Sequence, residues 1–285
     1  MRRTIVLGAV ALIAITAPTA QGSMNSKIDF SEPRMAAVFI GSKENHTAVA
    51  NGSAFFYSPR IVFSAAHGDS TSKTLTFYVG QPNKKLSQGM KYAKVIKTYI
   101  PKSFDKSAYS DDFAVLVLDR PLMKVDKAEL ITEEKLQRII TEKIPVKILG
   151  YGVYKDACKL FNQKPRCNVD GAGTSTTPRS ILMNPVSYSS LKTKFGDLPN
   201  LSKVKDHLFL ESDFYTGPCP GDSGGSSTAT IDGVNYYLGT TPAGFWGGYS
   251  CGQTSEVSET LGYSAPVYKF LDLIKRAEKF VASSR

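Results

Sequence analysis

From Arg34 onward the chain is a succession of apolar runs of four to eight residues, each cut off by Gly, Pro, Ser, Asn or Asp. Runs that short do not make a buried helix, and the turn formers at their ends let the chain reverse, so the pattern predicts an all-β fold. The best strands on this reading are residues 35–40, 52–57, 61–64, 74–79, 92–99, 113–118, 146–149, 181–186, 208–211 and 235–239. Several carry Val, Ile, Phe or Tyr, which suit a pleated, half-buried surface. Two stretches follow a helical period instead. Residues 132–141 have Thr132 as an N-cap, with Leu136, Ile139 and Ile140 on one face. Near the end of the chain Val267, Phe270, Leu271, Ile274, Phe280 and Val281 recur at helical spacing with Lys and Arg opposite, a stripe that predicts docking onto the body of the protein. No repeat or low-complexity linker divides the chain, and residues 122–144 are the natural junction between two β units.

The first residues read as an export leader. Arg2 and Arg3 form a basic start, residues 5–15 an apolar run, and small residues follow, with cleavage after Gly22 or after Ala20. The run falls well short of the roughly 20 residues a spanning helix needs. Export places Cys158, Cys167, Cys219 and Cys251 in an oxidising compartment, where they are candidates for two disulfides with three possible pairings. Zinc is disfavoured, because there is no C-x-x-C and His46, His67 and His207 stand at no ligand spacing. The 35 Lys and Arg against 25 Asp and Glu give a net charge of +10, but the lysines are scattered and form no dense stripe. A solvated surface is therefore expected, with no nucleic-acid partner and no membrane association once the leader is gone.

Chemistry concentrates at Gly221-Asp222-Ser223-Gly224-Gly225, which sets one hydroxyl between glycines on a tight turn. Such a turn aims the backbone N–H groups of Gly221 and Ser223 at one point beside a nucleophilic oxygen, where an acyl-transfer intermediate develops its negative charge. A serine hydroxyl needs a base, and histidine has the pKa for that work. His67 ends the run Ile61-Val62-Phe63-Ser64-Ala65-Ala66-His67, so a buried strand would hold it firmly. A buried carboxylate should then fix its tautomer. Asp112 stands directly before the apolar run at 113–118, where an acid is costly unless paired, and Asp111 is its competitor.

In three places the chain resembles the trypsin and chymotrypsin family: Ser64-Ala65-Ala66-His67, Asp111-Asp112-Phe113-Ala114-Val115-Leu116, and Cys219-Pro220-Gly221-Asp222-Ser223-Gly224-Gly225. The order His, Asp, Ser is the family's and differs from that of subtilisins and of α/β-hydrolases. Weaker echoes are Pro121-Leu122, Gly150-Tyr151-Gly152 and Val267-Tyr268. The resemblance implies two packed six-stranded antiparallel β-barrels with a C-terminal α-helix: a leader at 1–22, an N-terminal segment or short propeptide at 23–34, barrels at 35–125 and 126–262, and the helix at 263–285. It implies a serine endopeptidase that needs no cofactor or metal and acts on protein or peptide substrates as a monomer. His67, Asp112 and Ser223 would be its catalytic triad, and the amides of Gly221 and Ser223 its oxyanion hole. It also implies the pairings Cys219 with Cys251 and Cys158 with Cys167.

The departures from the family pattern carry expectations of their own. The cysteine that usually follows the histidine and its partner are replaced by Gly68 and Gly52. No Ile or Val followed by glycines stands before Pro33 to supply the ammonium that usually meets the carboxylate at Asp222, so this buried structural carboxylate needs another partner. Lys27-Ile28 is one cleavage point, and an internal basic residue, as in some bacterial relatives, is another solution. The substrate pocket is expected at Gly217, Pro242, Gly244 and Pro266. With glycine at 217 and Asp213 out of register, it should prefer neutral side chains over Lys or Arg. Rival readings are a peptide-binding protein of the same fold and an esterase using the same triad.

Overall fold

The computed structural model describes residues 26–42, 49–68, 75–86, 90–152, 158–161, 164–167, 175–196, 201–213, 217–219, 221–241, 245–246 and 259–284. The elements of the first half are β1 (Lys27–Ile28), β2 (Met35–Ser42), β3 (Val49–Ser58), β4 (Ile61–Ser64), β5 (Leu75–Gly80), β6 (Tyr92–Tyr99), β7 (Ala114–Leu118) and α1 (Glu133–Glu142). Those of the second are β8 (Val146–Gly150), β9 (Cys158–Phe161), β10 (Lys164–Cys167), β11 (Arg179–Val186), α2 (Tyr188–Phe195), β12 (Leu208–Asp213), β13 (Ser226–Ile231), β14 (Val234–Thr240), β15 (Phe245–Trp246), β16 (Glu259–Ser264) and α3 (Leu271–Ser283).

Strands β2-β3-β4-β7-β6-β5 close into a six-stranded antiparallel barrel. Its residues sort by the two-residue period of a strand. Ala36, Val38, Ala54, Phe56, Val62, Ala114, Leu116 and Leu118 form one buried cluster. The alternate positions Met35, Ala37, Phe55, Ile61, Phe63, Val115 and Val117 join a second cluster shared with the other half of the chain. Strand β7 is thus buried on both faces, which is why its sequence is continuously apolar rather than alternating.

The second half builds an antiparallel sheet in the order β14-β13-β8-β11-β12-β16, extended by β15 and by β1 on β11. It curls until Gly239 in β14 bridges Pro266, two residues beyond β16. The result is two six-stranded barrel-like sheets and a C-terminal helix, as the sequence leads one to expect. Between them the shared core is aromatic: Tyr237 lies 4.5 Å from Phe55 and 5.2 Å from Phe63, Phe63 5.1 Å from Phe113, and Phe113 stacks on Phe270 at 4.6 Å.

Helix α1 fills the junction. The Thr132 side chain accepts from the Lys135 N–H at 3.3 Å, Glu133 and Glu134 suit the positive end of the helix dipole, and Lys143 closes the helix at φ 53°. Helix α3 follows a 3-10 turn at Val267–Phe270 and buries Ile274 and Ala277. Its Glu278 accepts a hydrogen bond from Tyr57 of the first barrel at 3.0 Å, so the helix docks on the body. No described helix is long and apolar enough to cross a membrane.

The N-terminal segment lies on the second barrel. Ile28 pairs with Arg179, whose buried guanidinium donates to the Ser26 hydroxyl at 2.8 Å and to its carbonyl at 2.9 Å. The Asp29 carboxylate is pushed up by burial but pulled further down, to about 2, by hydrogen bonds from Ser31 and Ser180 and by the Lys147 ammonium.

Seven of the strands and α-helices are absent from the sequence-based reading: the short strands β1, β9, β10 and β15, and three longer elements, β13, α2 and β16. Strand β13 is Ser-Ser-Thr-Ala-Thr-Ile, small and hydroxyl-rich, and it reads as loop although it is central and buried. Helix α2 buries Leu191, but five of its eight residues are Tyr, Ser, Thr or Phe, modest helix formers, and the Ser187 cap on the Ser190 N–H marks its start. Strand β16 includes Gly262, which weakens the strand signal.

Candidate active site

Strand β4 ends at Ser64, and a 3-10 turn at Ala66–Gly68 carries His67 out of the barrel with its side chain 17% exposed. Asp112, 1% exposed, precedes β7 on a turn closed by the Phe113 N–H donating to the Asp111 carbonyl at 2.8 Å. The two meet twice. Asp112 Oδ2 lies 2.5 Å from His67 Nδ1, and Oδ1 accepts the His67 backbone N–H at 2.8 Å. With Nδ1–H committed to the carboxylate, Nε2 is the nitrogen with a free lone pair. The Thr240 hydroxyl donates to the Asp112 carbonyl at 2.9 Å, fixing the turn from the second barrel. Asp111, the competing acid, is bound by Lys269 Nζ at 2.5 Å, so the geometry pairs Asp112 and not Asp111 with His67.

The serine turn sits between the barrels. Gly221 and Gly224 hold φ values of 93° and 82°, backbone that a side chain would strain. A Cβ on Gly224 would also lie 2.3 Å from the Ser53 carbonyl and from the Ser64 hydroxyl, and 2.8 Å from the Ala65 nitrogen. That packing brings Ser223 against the segment leading to His67. The Ser53 N–H donates to the Ser223 carbonyl at 2.9 Å. The buried Ser53 hydroxyl donates to the Gly221 carbonyl at 2.8 Å and accepts the Tyr151 N–H at 2.8 Å. Among the described residues the amides of Gly221 and Ser223 donate to no partner, and the Ser223 hydroxyl makes no hydrogen bond to His67. Catalytic hydrogen bonds of this kind often form only when substrate closes the site.

Asp222 is 3% exposed, and its carboxylate accepts the N–H groups of Gly152 and Cys219, each at 2.7 Å. Amide donors of this sort favour the ionised form of a buried acid. The same contact explains Gly150-Tyr151-Gly152: a Cβ at either glycine would fall 2.4 Å from the Asp222 carboxylate. Ile28, the expected alternative terminus, stands in β1 with its side chain 58% exposed.

Of the expected pocket, Gly217 is buried two residues before Cys219, while Pro242 and Gly244 lie outside the described residues, as do Cys251 and residues 1–22. Pro266 is buried at the start of the 3-10 turn before α3, bridged to Gly239. Asp213 ends β12 in register with Glu259.

A family model for trypsin matches residues 21–274. The chain belongs to the trypsin family. No curated protein matches it. As a trypsin-family member it carries a serine-protease type of hydrolase domain.

Two supporting residues of this trypsin-family site escape the sequence reading. Ser53 sits between Gly52 and Ala54 and looks like filler in a strand; Thr240 is one of two adjacent threonines. The one available signal for Ser53 is its place in an otherwise apolar buried strand, where a hydroxyl must find partners.

Proposed function

We propose that this chain is a secreted serine endopeptidase in which Ser223 is the nucleophile, His67 the general base and Asp112 the residue that orients His67. The observation that carries the reading is the doubly bonded pair of His67 with the buried Asp112 carboxylate, set beside the glycine-framed Ser223 turn. Ser223 Oγ attacks the scissile carbonyl as its proton passes to His67 Nε2, and Asp112 stabilises the resulting imidazolium without taking the proton. The amides of Gly221 and Ser223 receive the oxyanion; their freedom from other acceptors among the described residues supports this. His67 then protonates the leaving amine, and water attacks the acyl-enzyme by the reverse sequence. Gly217 places no charge in the pocket, so neutral side chains are preferred over Lys and Arg.

Secretion follows from the leader at 1–22. Disulfides Cys158 with Cys167 and Cys219 with Cys251 accompany it. Register supports the first, since Cys158 and Cys167 are cross-strand partners in the β9–β10 hairpin. The enzyme acts as a monomer on protein or peptide substrates. The test is labelling of the leader-free protein by a fluorophosphonate probe, beside Ser223→Ala, with the N-terminus read by mass spectrometry. Labelling of the wild type alone supports an activated serine. A folded wild type that never labels would sink the enzyme reading in favour of a peptide-binding protein of the same fold, and ester cleavage without peptide cleavage would assign an esterase.

A further inference from the structure

The loop before Asp112 closes on itself through Asp105 and Ser110 and is tied to the other half of the molecule by four side chains. Lys203 Nζ binds the Asp105 carboxylate at 2.9 Å. The Tyr263 hydroxyl in β16 donates to the Ala108 carbonyl. His207, one residue before β12, has a side chain only 1% exposed and accepts the Asp111 N–H on Nε2 at 3.1 Å, while its ring meets Tyr263 edge-on at 5.7 Å. Lys269, in the turn leading to α3, holds the Asp111 carboxylate at 2.5 Å.

Asp111 is therefore gripped at all three of its polar groups. Its N–H goes to His207, its carboxylate to Lys269, and its carbonyl to the Phe113 N–H at 2.8 Å, across Asp112. It is also held at φ 52°, in the left-handed region that few non-glycine residues occupy. A strained residue persists only where its surroundings over-determine it. Asp112 follows by one peptide bond, so the direction in which its carboxylate leaves the turn is set by how Asp111 is held.

We infer that Lys269 and His207 are positioning residues for the reaction: acting through Asp111, they aim Asp112 at His67 and couple the acid and base of the first barrel to the half that carries Ser223. The inference rests on the endopeptidase reading for its kinetic consequence, but not for its geometry. Lys269 and His207 touch none of the reacting atoms. They fix a hydrogen bond whose misplacement by a fraction of an ångström weakens catalysis without removing any catalytic group.

The test is the double variant Asp111→Asn with Lys269→Met. It removes one negative and one positive charge together, so the local net charge is kept, and asparagine tolerates the left-handed backbone. His207→Phe is the second variant, and Arg138→Met, whose partners Asp232 and Glu142 are exposed, is the control. Two readouts are taken on leader-free protein. One is kcat and KM on a peptide with a neutral residue before the scissile bond. The other is the low-field proton resonance of the His67 Nδ1–H bonded to Asp112, which does not depend on turnover. For the double variant the expected result is a fall in kcat of about tenfold with KM within about twofold, and an upfield shift or loss of the resonance. Lys269→Arg alone, with Asp111 unchanged, keeps the ion pair and should leave both readouts near wild type. If the double variant and His207→Phe, folded by near-ultraviolet circular dichroism, leave the resonance unchanged, the positioning role is wrong whether or not the protein is an enzyme. If the wild type shows no turnover yet the resonance moves in the variants, the enzyme reading fails and the positioning role stands.

Discussion

Ser53→Ala removes one oxygen that no solvent reaches, and its cost can be worked from its partners. Ser53 and Tyr151 are both 0% exposed, and the hydroxyl both accepts the Tyr151 N–H and donates to the Gly221 carbonyl, each at 2.8 Å. Alanine leaves a buried backbone donor and a backbone acceptor without that partner, at about 1–3 kcal/mol for each such group. The Tyr151 N–H bears the full penalty because no water can replace the hydroxyl there. The Gly221 carbonyl is on a half-exposed residue and recovers part of its loss from solvent. The total expected is about 2–3 kcal/mol, or roughly 3–5 °C in Tm for a chain of this size.

Urea unfolding followed by tryptophan fluorescence and far-ultraviolet circular dichroism measures it, with Ser226→Ala as the internal control. Ser226 is equally buried, but its hydroxyl has no hydrogen-bond partner among the described residues. Its removal should be neutral or stabilising, because an unsatisfied buried hydroxyl is lost rather than made. The same chemical change is thus expected to be destabilising at one position and neutral or stabilising at the other. A Ser53→Ala loss below about 0.5 kcal/mol, or a Ser226→Ala loss as large as that of Ser53→Ala, would refute hydrogen-bond accounting as the reason the two barrels and the serine turn hold together. In the endopeptidase reading Ser53→Ala also loosens Gly221, and fluorophosphonate labelling should slow by about tenfold.

The other expectations are quickly stated. Tyr237→Phe should leave stability unchanged or raise it by up to about 1 kcal/mol in a chemical melt, since the Tyr237 hydroxyl is fully buried without a partner among the described residues while its ring packs on Phe55 and Phe63. Gly152→Ala should cost at least about 2 kcal/mol and abolish probe labelling, because its Cβ would fall 2.4 Å from the Asp222 carboxylate; wild-type labelling in this variant would contradict the contact. Burial holds His207 down at about 4 against an ordinary value near 6.5. Between pH 6.5 and 4 the unfolded chain therefore takes up a proton that the native chain refuses, and stability should fall with pH by as much as about 3 kcal/mol. His207 faces Asp111, Lys269 and Asp206, and His207→Gln should flatten that slope in urea melts taken across the window. Asp111 is pushed up by burial but pulled lower still by Lys269, so its contribution is lost only below its ordinary pH range of about 3.8.

What the sequence makes legible is whatever one segment encodes by itself. Strand β7 announces double-sided burial through five unbroken apolar residues, and Thr132 announces α1 through its cap. The serine turn is legible because its glycines stand at φ 93° and 82°, a local requirement. Strand β13 is not, since Ser226, Ser227 and Thr228 are buried by what packs around them and not by their own hydrophobicity. Ser53, Thr240, His207 and Lys269 are illegible for a related reason. Each matters through a partner far away in sequence, Ser53 to Gly221 and Thr240 to Asp112 among them, and a single chain without its fold carries no sign of such a pairing. The need of Asp222 for partners is readable from its setting; that the amides of Gly152 and Cys219 are among them is not, because nothing local singles them out.

Those long-range pairings are also where the fold and the candidate site become one object. The serine turn belongs to the second half of the chain, yet β3 of the first barrel holds it through the Ser53 N–H and hydroxyl. The Asp112 turn belongs to the first barrel, yet Thr240, His207, Tyr263 and Lys269 hold it from the second half. Neither half carries its own share of the site unaided. If the halves separated by a fraction of an ångström, both turns would lose anchors at once, along with the aromatic contact of Tyr237 with Phe55 and Phe63. Loosened docking of the barrels is therefore expected to disturb both turns together. Site geometry and barrel docking should rise and fall as a single cooperative unit.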